Sequence, residues 1–414
     1  MNYFEVFETY ESEVRSYCRN FPALFDTAKD SQIFDVDGNS YIDFLAGCGA
    51  LNYGHNNETI KQRLIDYILN DGILHSMDMY TRAKAEFIEY FEEELLKKRG
   101  FNYKIQFTGP TGTNAVEASL KLARKVKGRT TIWGLMGCFH GMTLGALSLT
   151  SNKADRAGAG IPLGGITHIP APYMFEELDT IKYMQTLIDD DHSGIEKPAA
   201  LIIETIQAEG GIWPLPYEWI KGVRTFCDKN DILLIVDDIQ VGTARAGTFF
   251  SFEKAGIIPD MVVMAKSTGG LGMPIAIVLM KPELDIWEPG EHNGTFRGNQ
   301  LSMVAARAGL EIMLGDHIED EVMRKELLVK KALEEKIAPI NSDFDIRGRG
   351  LIWGIDVGDG VFSKAISKKC FENGLIVERA GRNSSTVKIM PPLTIDEGLL
   401  LEGIDIISDA IKSI

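Results

Sequence analysis

The chain has 414 residues, of which 45% are hydrophobic and 25% are charged. These fractions are typical of globular proteins, and a chain this long buries a large core, which excludes disorder of the bulk and suggests about two or three domains. Lysine and arginine total 43 and aspartate and glutamate total 59, so the net charge is −16. An acidic chain repels nucleic-acid backbones and anionic membranes, and we expect neither as a partner.

The spacing of cysteine and histidine argues against a metal site or a disulfide framework. The five cysteines are widely separated and form no CxxC pair, which indicates a reducing compartment. The seven histidines show neither HExxH nor HxxxH spacing, so we predict no metal. The apolar runs are too short to cross a bilayer, and the acidic N-terminus does not have the shape of a signal peptide. We therefore expect a cytoplasmic protein.

In chain order, the first clear element is a hairpin at residues 31–45. It turns at Asp37 and Gly38, a pair that favours tight turns between strands. From about residue 100 to residue 315, short apolar runs alternate with helix-like segments, which predicts an α/β domain with a mostly parallel sheet. The predicted strands are 103–107, 130–135, 199–206, 232–239, 261–265 and 274–280.

After residue 315 the pattern indicates a smaller α+β unit. Its last predicted helix carries one apolar stripe, formed by Leu400, Ile404, Ile407 and Ile411 at steps of four, three and four residues. We expect a large domain over residues 61–315. We expect a smaller domain built from both ends of the chain, residues 1–60 and 316–414.

A candidate phosphate site follows the strand at 103–107. Residues 108–114 read TGPTGTN and open a predicted helix. A turn of glycine and threonine at a helix start gathers free N–H groups at the positive end of the helix dipole, which suits a phosphate. An ordinary helix cap by Thr111 or Thr113 is the alternative interpretation.

Two further polar residues follow apolar strands, where parallel sheets bind their ligands. Asp237 follows the run 232–236. A buried carboxylate there favours a cationic partner, such as a protonated pyridine nitrogen. The alternative interpretation is that Asp237 only caps the next turn. Lys266 follows the run 261–265. An apolar wall lowers the pKa of a lysine, and the neutral amine can form a Schiff base. The alternative interpretation is a surface lysine. A phosphate site, an acid and such a lysine together are what pyridoxal 5′-phosphate (PLP) requires.

With these residues placed, the chain resembles the class III aminotransferases of fold type I over essentially its whole length. The resemblance implies an α/β fold with a large domain around a mostly parallel seven-stranded sheet, PLP as cofactor, and a homodimer or higher oligomer with a shared active site. The matching stretches are DVDGNSYIDF, GPTGTNAVEA, CFHGMT, ETIQAEGG, VDDIQVGTARAGTFFSFE, PDMVVMAKS, GTFRGNQLS and MPPLTI.

The resemblance also implies roles for single residues. Lys266 is expected to bind the cofactor covalently and to carry a proton, and Asp237 to hold the pyridine nitrogen protonated. Glu204 is expected to support the site, and His140 to pack beside the ring without a catalytic role. The remaining expected cofactor contacts are Gly112 and Thr113 at the phosphate, Phe139 and Ile239 on the two ring faces, Gln240 at the phenolic oxygen, and Thr295 at the phosphate of the neighbouring subunit.

Four stretches resemble the ectoine-pathway branch of the family, which transfers the terminal amine of L-2,4-diaminobutyrate to 2-oxoglutarate. They are EVRSYCRNFP, GALNYGHNN, TGPTGTNAVEA and PGEHNGTFRGN. Other ω-amino acid transaminases, of the 4-aminobutyrate, lysine or ornithine type, are the alternative, as is a cofactor-free regulatory relative. Met142 stands where ornithine-type members carry arginine, which argues against ornithine.

The expected substrate residues are Glu209, Lys388 and Arg297. Glu209 falls where the family has an acid that gates substrate carboxylates. Lys388 replaces the family's usual arginine, and a lysine does not form the two-pronged grip of a guanidinium, so its pairing with Glu209 is an open question. Arg297 is a candidate carboxylate anchor, with a structural ion pair as the alternative.

Overall fold

A seven-stranded sheet forms the centre of the computed structural model, which describes residues 3–414. In chain order, the strands of the whole chain are β1 (Phe25–Lys29), β2 (Gln32–Asp35), β3 (Ser40–Asp43), β4 (Lys104–Phe107), β5 (Ile132–Leu135), β6 (Ile166–Ile169), β7 (Ala200–Ile203), β8 (Ile206–Gln207), β9 (Trp213–Pro214), β10 (Leu233–Asp237), β11 (Met261–Met264), β12 (Ile277–Met280), β13 (Asp345–Arg349), β14 (Ile352–Asp356), β15 (Leu375–Ile376), β16 (Glu378–Ala380) and β17 (Thr386–Ile389).

Helices pack against the central sheet and against the smaller sheets, and they connect many of the strands. None of them, over the described residues, has the length and apolar character that a membrane-crossing helix needs. They are α1 (Tyr3–Tyr10), α2 (Tyr17–Asn20), α3 (Ala46–Gly49), α4 (Glu58–Leu69), α5 (Arg82–Tyr90), α6 (Gly112–Lys127), α7 (Leu144–Leu149), α8 (Lys153–Ala157), α9 (Thr180–Asp189), α10 (Tyr217–Lys229), α11 (Gln300–Gly315), α12 (Ile318–Lys336), α13 (Gly360–Glu372) and α14 (Glu397–Ser413).

The central sheet has the order β4-β12-β11-β10-β7-β5-β6. β12 runs in the direction opposite to the other six strands, so the prediction of a mostly parallel sheet is confirmed. Each of the six predicted runs contains a strand of this sheet, and β6 is a seventh that the apolar pattern did not indicate. The run at 199–206 ends its strand at Ile203.

The middle strands are apolar throughout because both of their faces are covered. In β10, Leu234 and Val236 belong to one core cluster, whereas Leu233 and Ile235 belong to the cluster on the other face. This is the period of two that strand geometry imposes. The carboxyl ends of β10 and β11 then carry Asp237 and, two residues beyond β11, Lys266. Two polar side chains thus stand at the carboxyl ends of two apolar strands.

Two smaller sheets join distant parts of the chain. The predicted hairpin is confirmed, since β2 and β3 pair antiparallel around Gly38, whose φ is 85°. β3 also pairs in parallel with β15, so the N-terminal hairpin and a C-terminal strand share one sheet. The other sheet has the order β13-β14-β17-β16. The predicted stripe on α14 is buried at all four positions, while the exact domain boundaries stay a prediction.

Candidate active site

A cavity of about 1220 Å³ opens where the central sheet meets the smaller sheets. Three of the predicted site residues line it, namely Lys266, Phe139 and Glu209. Tyr17, from the N-terminal segment, and Glu378, from β16, line it as well. Segments that are hundreds of residues apart in sequence therefore build one concave site, which is the usual form of a small-molecule pocket.

Lys266 is held in an uncommon backbone conformation at the bottom of this cavity. Its φ is 49°, in the left-handed region that costs energy for a residue with a side chain. Such strain is typical of functional positions. Burial lowers the pKa of the Lys266 amine from its ordinary value, against the opposing charge of Glu209. A larger fraction of the amine is therefore neutral, and nucleophilic, than for a lysine in water.

Asp237 is buried and has two hydrogen-bond donors. Its Oδ2 lies 2.6 Å from Nδ1 of His140, and its Oδ1 accepts a hydrogen bond of 3.1 Å from the backbone N–H of Ile239. Burial lowers the pKa of His140, but the neighbouring Cys138 and Asp237 raise it well above its ordinary value. The Asp237 carboxylate is thus braced by a cationic ring rather than left bare in the core.

The start of α6 lies against the residues that follow β10 and β11. A Cβ atom added to Gly112 would lie 2.9 Å from Cδ1 of Ile239 and 3.6 Å from Cβ of Ala265. Thr113 Oγ1 lies 2.7 Å from Oγ1 of Thr143. The helix start therefore presents free N–H groups and hydroxyls beside the Asp237 and Lys266 strands, the arrangement predicted for a phosphate site.

Phe139 lies on the loop after β5, whereas Ile239 lies just after β10. The backbone N–H of Phe139 donates a hydrogen bond of 2.9 Å to Oε1 of Glu204, which fixes the loop after β5. Burial raises the pKa of Glu204 to about 8. Glu204 therefore supports the loop that carries Phe139, in keeping with the supporting role expected for it.

Lys388 lies at the centre of a buried polar network. Its Nζ lies 2.6 Å from Oε1 of Glu209, 3.1 Å from Oε2 of Glu378 and 3.3 Å from Oε1 of Gln240. Burial lowers the pKa of Lys388, but Glu209 and Glu378 raise it above its ordinary value, so the amine stays charged. The question left open by the sequence is thereby answered: lysine does pair with Glu209, in the place of the usual arginine.

Thr295 and Arg297 lie outside this cavity. Thr295 is exposed, and its carbonyl oxygen lies 2.9 Å from Nε2 of His75. Arg297 forms an ion pair with Asp78 and donates a hydrogen bond of 3.2 Å to the carbonyl oxygen of His292. Within one chain, therefore, neither residue is brought next to Lys266. The contacts of Arg297 are those of a structural ion pair, which was the alternative to a carboxylate anchor.

Comparison with known proteins assigns the family. The model of the aminotransferase class-III family matches residues 15–411. The chain is 48% identical to the diaminobutyrate–2-oxoglutarate transaminase of Sporosarcina pasteurii over 100% of this chain and 98% of that one. It is also 48% identical to the protein of that name from Streptomyces coelicolor, over 98% of this chain and 97% of that one. The chain belongs to the class III aminotransferases.

Solved structures have the same fold as this class III aminotransferase. An ornithine aminotransferase from Toxoplasma gondii superimposes with a TM-score of 0.87 at 23% identity, over 99% of this chain and 93% of that one. An S-selective transaminase from an Arthrobacter species gives a TM-score of 0.90 at 20% identity, over 100% of this chain and 98% of the other. At these identities the likeness establishes the fold.

The cofactor of class III aminotransferases is PLP, and the residues of this chain fit it. A Cβ atom on Gly112 would lie 2.9 Å from Cδ1 of Ile239, so a larger residue here would displace that side chain. The amine of Lys266 and the carboxylate of Asp237 stand at adjacent strand ends. The chain provides an anion site, a lysine of lowered pKa and a buried acid. These features suit the phosphate, the aldehyde and the pyridine nitrogen of PLP, in that order.

The sequence did not indicate Glu378 or the pairing of His140. Glu378 is the partner of Lys388 in the antiparallel register of β16 and β17, so the two side chains stand opposite each other. Recognising these two short strands would have placed the acid next to the lysine. For His140, which was expected to be only a packed neighbour, the sequence offered no signal of its contact with Asp237, 97 residues away.

Proposed function

We propose that this protein is a diaminobutyrate–2-oxoglutarate transaminase. It would transfer the terminal amino group of L-2,4-diaminobutyrate to 2-oxoglutarate, giving L-aspartate 4-semialdehyde and L-glutamate. The observation that carries the proposal is full-length identity of 47–48% to proteins of this name from Sporosarcina, Streptomyces, Bordetella and other bacteria. Met142, in place of the arginine of ornithine-type members, supports the choice of donor.

We assign Lys266 and Asp237 to catalysis. PLP supplies an aldehyde that bonds reversibly to amines and a ring that withdraws electrons from the neighbouring carbon. Lys266 provides the amine that holds this group, and its lowered pKa suits it to carry a proton to and from the carbon that bears the reacting amine. Asp237, braced by His140, keeps a proton on the ring nitrogen through a charge-assisted hydrogen bond.

We assign the other predicted cofactor residues to binding and orientation. Gly112 and Thr113 bind the phosphate with backbone and hydroxyl donors. Ile239 packs on one ring face, and its contact with the helix start at Gly112 supports this position. Phe139 covers the other face. Gln240 approaches the phenolic oxygen, and to donate to it the amide must release either the Cys48 carbonyl, at 3.0 Å, or Oε1 of Glu209, at 3.2 Å. Orientation of this kind supplies much of the rate enhancement of an enzyme.

Glu209 and Lys388 are proposed to sort the two substrates. While Glu209 neutralises Lys388, a donor amine enters without attracting its carboxylate to the lysine. When Glu209 turns into the cavity, the charge of Lys388 becomes free for a carboxylate of 2-oxoglutarate. Glu209 has an exposed side-chain fraction of 31%, against 0% for Lys388, so the acid has room to move.

We further propose that the protein is a cytoplasmic homodimer with shared sites. A patch of apolar side chains is exposed around the segment that carries Thr295; we call it the apolar patch, formed by Ile73, Leu74, Met77, Met79, Tyr80 and Phe296. His75 joins the two halves of the patch by its contacts with Thr295 and with the ring of Phe296. Exposed apolar surface of this kind is typical of protein interfaces. In such a dimer Thr295 is expected to reach the phosphate of the neighbouring subunit.

The test of the proposed function is an absorbance spectrum of the purified protein during each half of the reaction. Diaminobutyrate should convert the spectrum of the aldehyde cofactor into that of its amine form, and 2-oxoglutarate should reverse the change. The kcat/KM for diaminobutyrate should exceed the values for 4-aminobutyrate and ornithine. A preference for either of these two amines would overturn the assignment in favour of another ω-amino acid transaminase.

A further inference from the structure

Glu378 is a carboxylate on the wall of the Lys266 cavity that none of the proposed roles uses. It stands on β16 directly opposite Lys388 on β17, and 11% of its side chain is exposed. Tyr17 donates a hydrogen bond of 2.7 Å to its Oε1, while Oε2 faces Lys388. Burial and the charge of Glu378 raise the pKa of Tyr17, so the hydroxyl keeps its proton and remains a donor.

The charges around Lys388 do not balance. This one buried ammonium group is shared by two carboxylates, those of Glu209 and Glu378. At this point of the wall two carboxylates face one ammonium group, while the cations Lys153, Arg156, Arg379 and Arg382 line other parts of the same cavity. A carboxylate offers about four lone-pair positions, and the three contacts of Glu378, with Tyr17, with Lys388 and at 3.9 Å with the Cys48 thiol, leave acceptor capacity toward the cavity. An additional cation from a ligand would complete the network.

The two leading donor candidates differ in one such cation. L-2,4-Diaminobutyrate is 4-aminobutyrate with a second ammonium group, on the carbon next to the carboxylate. In an extended donor the two nitrogens lie about 5 Å apart, from ordinary bond lengths. When the terminal amine is at Lys266, the second ammonium therefore lies about 5 Å away, in the cavity that Lys266 and Glu378 both line. Arg382 lines the same cavity, and its charge suits the carboxylate on the same carbon.

Building on the proposed function, we infer that Glu378 binds the α-ammonium group of the donor and thereby selects diaminobutyrate over 4-aminobutyrate. Glu378 is better placed than Glu209, because strand pairing and Tyr17 hold it in position. Glu209 has both its lysine and its Gln240 contact on one oxygen and is the acid proposed to move. A preorganised acceptor binds a cation without the cost of ordering it first.

The experiment compares the holoenzyme with Glu378→Gln, Glu209→Gln and Glu372→Gln, the last being an exposed glutamate near the end of α13. Each protein is assayed for kcat and KM with diaminobutyrate and with 4-aminobutyrate. Affinity for both amines is also measured by titration calorimetry on the Lys266→Ala background, which reads binding without turnover. Melting temperature reports whether each variant is folded.

Glu378→Gln should raise the KM and the dissociation constant for diaminobutyrate about 10- to 100-fold, the range of a charge-assisted hydrogen bond, and leave those for 4-aminobutyrate nearly unchanged. Glu372→Gln should change neither. If Glu378→Gln keeps the wild-type preference, or if the loss follows Glu209→Gln alone, the inference is wrong while the proposed function stands. If the wild-type enzyme does not distinguish the two amines, both are wrong.

Discussion

Single side chains in this site derive their chemistry from burial beside an opposite charge. Asp237 and Asp238 are neighbours in the sequence, and both are buried, but they meet different surroundings. Asp237 faces His140, whereas Asp238 accepts a hydrogen bond of 3.1 Å from the backbone N–H of Ser251. Burial raises the pKa of Asp238 to about 7. Of the two acids, Asp237 is the one whose carboxylate contacts a histidine ring.

This difference makes the two acids a matched pair for mutation. Asp237→Asn should lower kcat by at least about a hundredfold, because an amide does not stabilise a proton on the cofactor ring as a carboxylate does. Asp238→Asn should leave kcat within a few-fold of wild type. Steady-state kinetics at saturating cofactor, with the melting temperature of each variant, measures the effect. Equal losses of kcat in two folded variants would contradict the role given to Asp237.

At the scale of elements, the proposed phosphate site depends on how closely α6 approaches the ends of β10 and β11. Gly112 is the first residue of α6, and the side chain of Ile239 occupies the space into which any Cβ would project. Asn114 holds the turn before the helix, since its Oδ1 accepts hydrogen bonds from the backbone N–H and the hydroxyl of Thr111. The position of the free N–H groups is thus set by packing between a helix and a sheet.

Gly112→Ala should therefore weaken cofactor binding while preserving the fold. The added Cβ would displace either Ile239 or the helix start, and we expect the dissociation constant for PLP to rise about tenfold or more, equivalent to at least about 1.4 kcal/mol. Adding Ile239→Val removes the nearest methyl group and should restore part of the affinity. Gly315→Ala, at a helical glycine with open space around it, is the control. Equal affinity of Gly112→Ala and wild type would contradict the proposed cradle.

At the scale of the whole molecule, one chain provides the lysine, the acids and the helix start but keeps Thr295 on its surface. The apolar patch around Thr295 is exposed, and burying it against another chain would be favourable. A second copy of the chain would bury the patch and bring Thr295 to the neighbouring site. The active site would then be complete only in the dimer.

Co-expression of two defective chains tests this arrangement. Lys266→Ala and Thr295→Ala subunits in one heterodimer would leave one site with both residues intact, so activity should exceed the mean of the two homodimers. Lys266→Ala combined with Asp237→Asn leaves no intact site, and this control pair should show no gain. Light scattering should give the mass of a dimer. A monomer in solution, or equal activities of the two co-expressed pairs, would contradict the shared site.

Features that are local along the chain could be predicted from the sequence. Apolar runs of strand length followed by a polar residue predicted where β10 and β11 end, and hence that Asp237 and Lys266 share one edge of the sheet. The Gly-Thr turn predicted the start of α6. In each case a strand or helix of regular geometry carries the residue to its position, so the pattern alone is sufficient.

Other parts of the site depend on packing between distant segments. The pairing of Lys388 with both Glu209 and Glu378, and of Asp237 with His140, joins residues from different strands and loops. The sequence by itself determined the fold class and the family, because regular elements and their periodicity encode these locally, and the residues that it assigns to the cofactor stay a prediction. Only the tertiary structure decided which charges neutralise each other. The strength of a charge pair depends on the distance between the two groups and on their burial, and the order of the residues gives neither quantity.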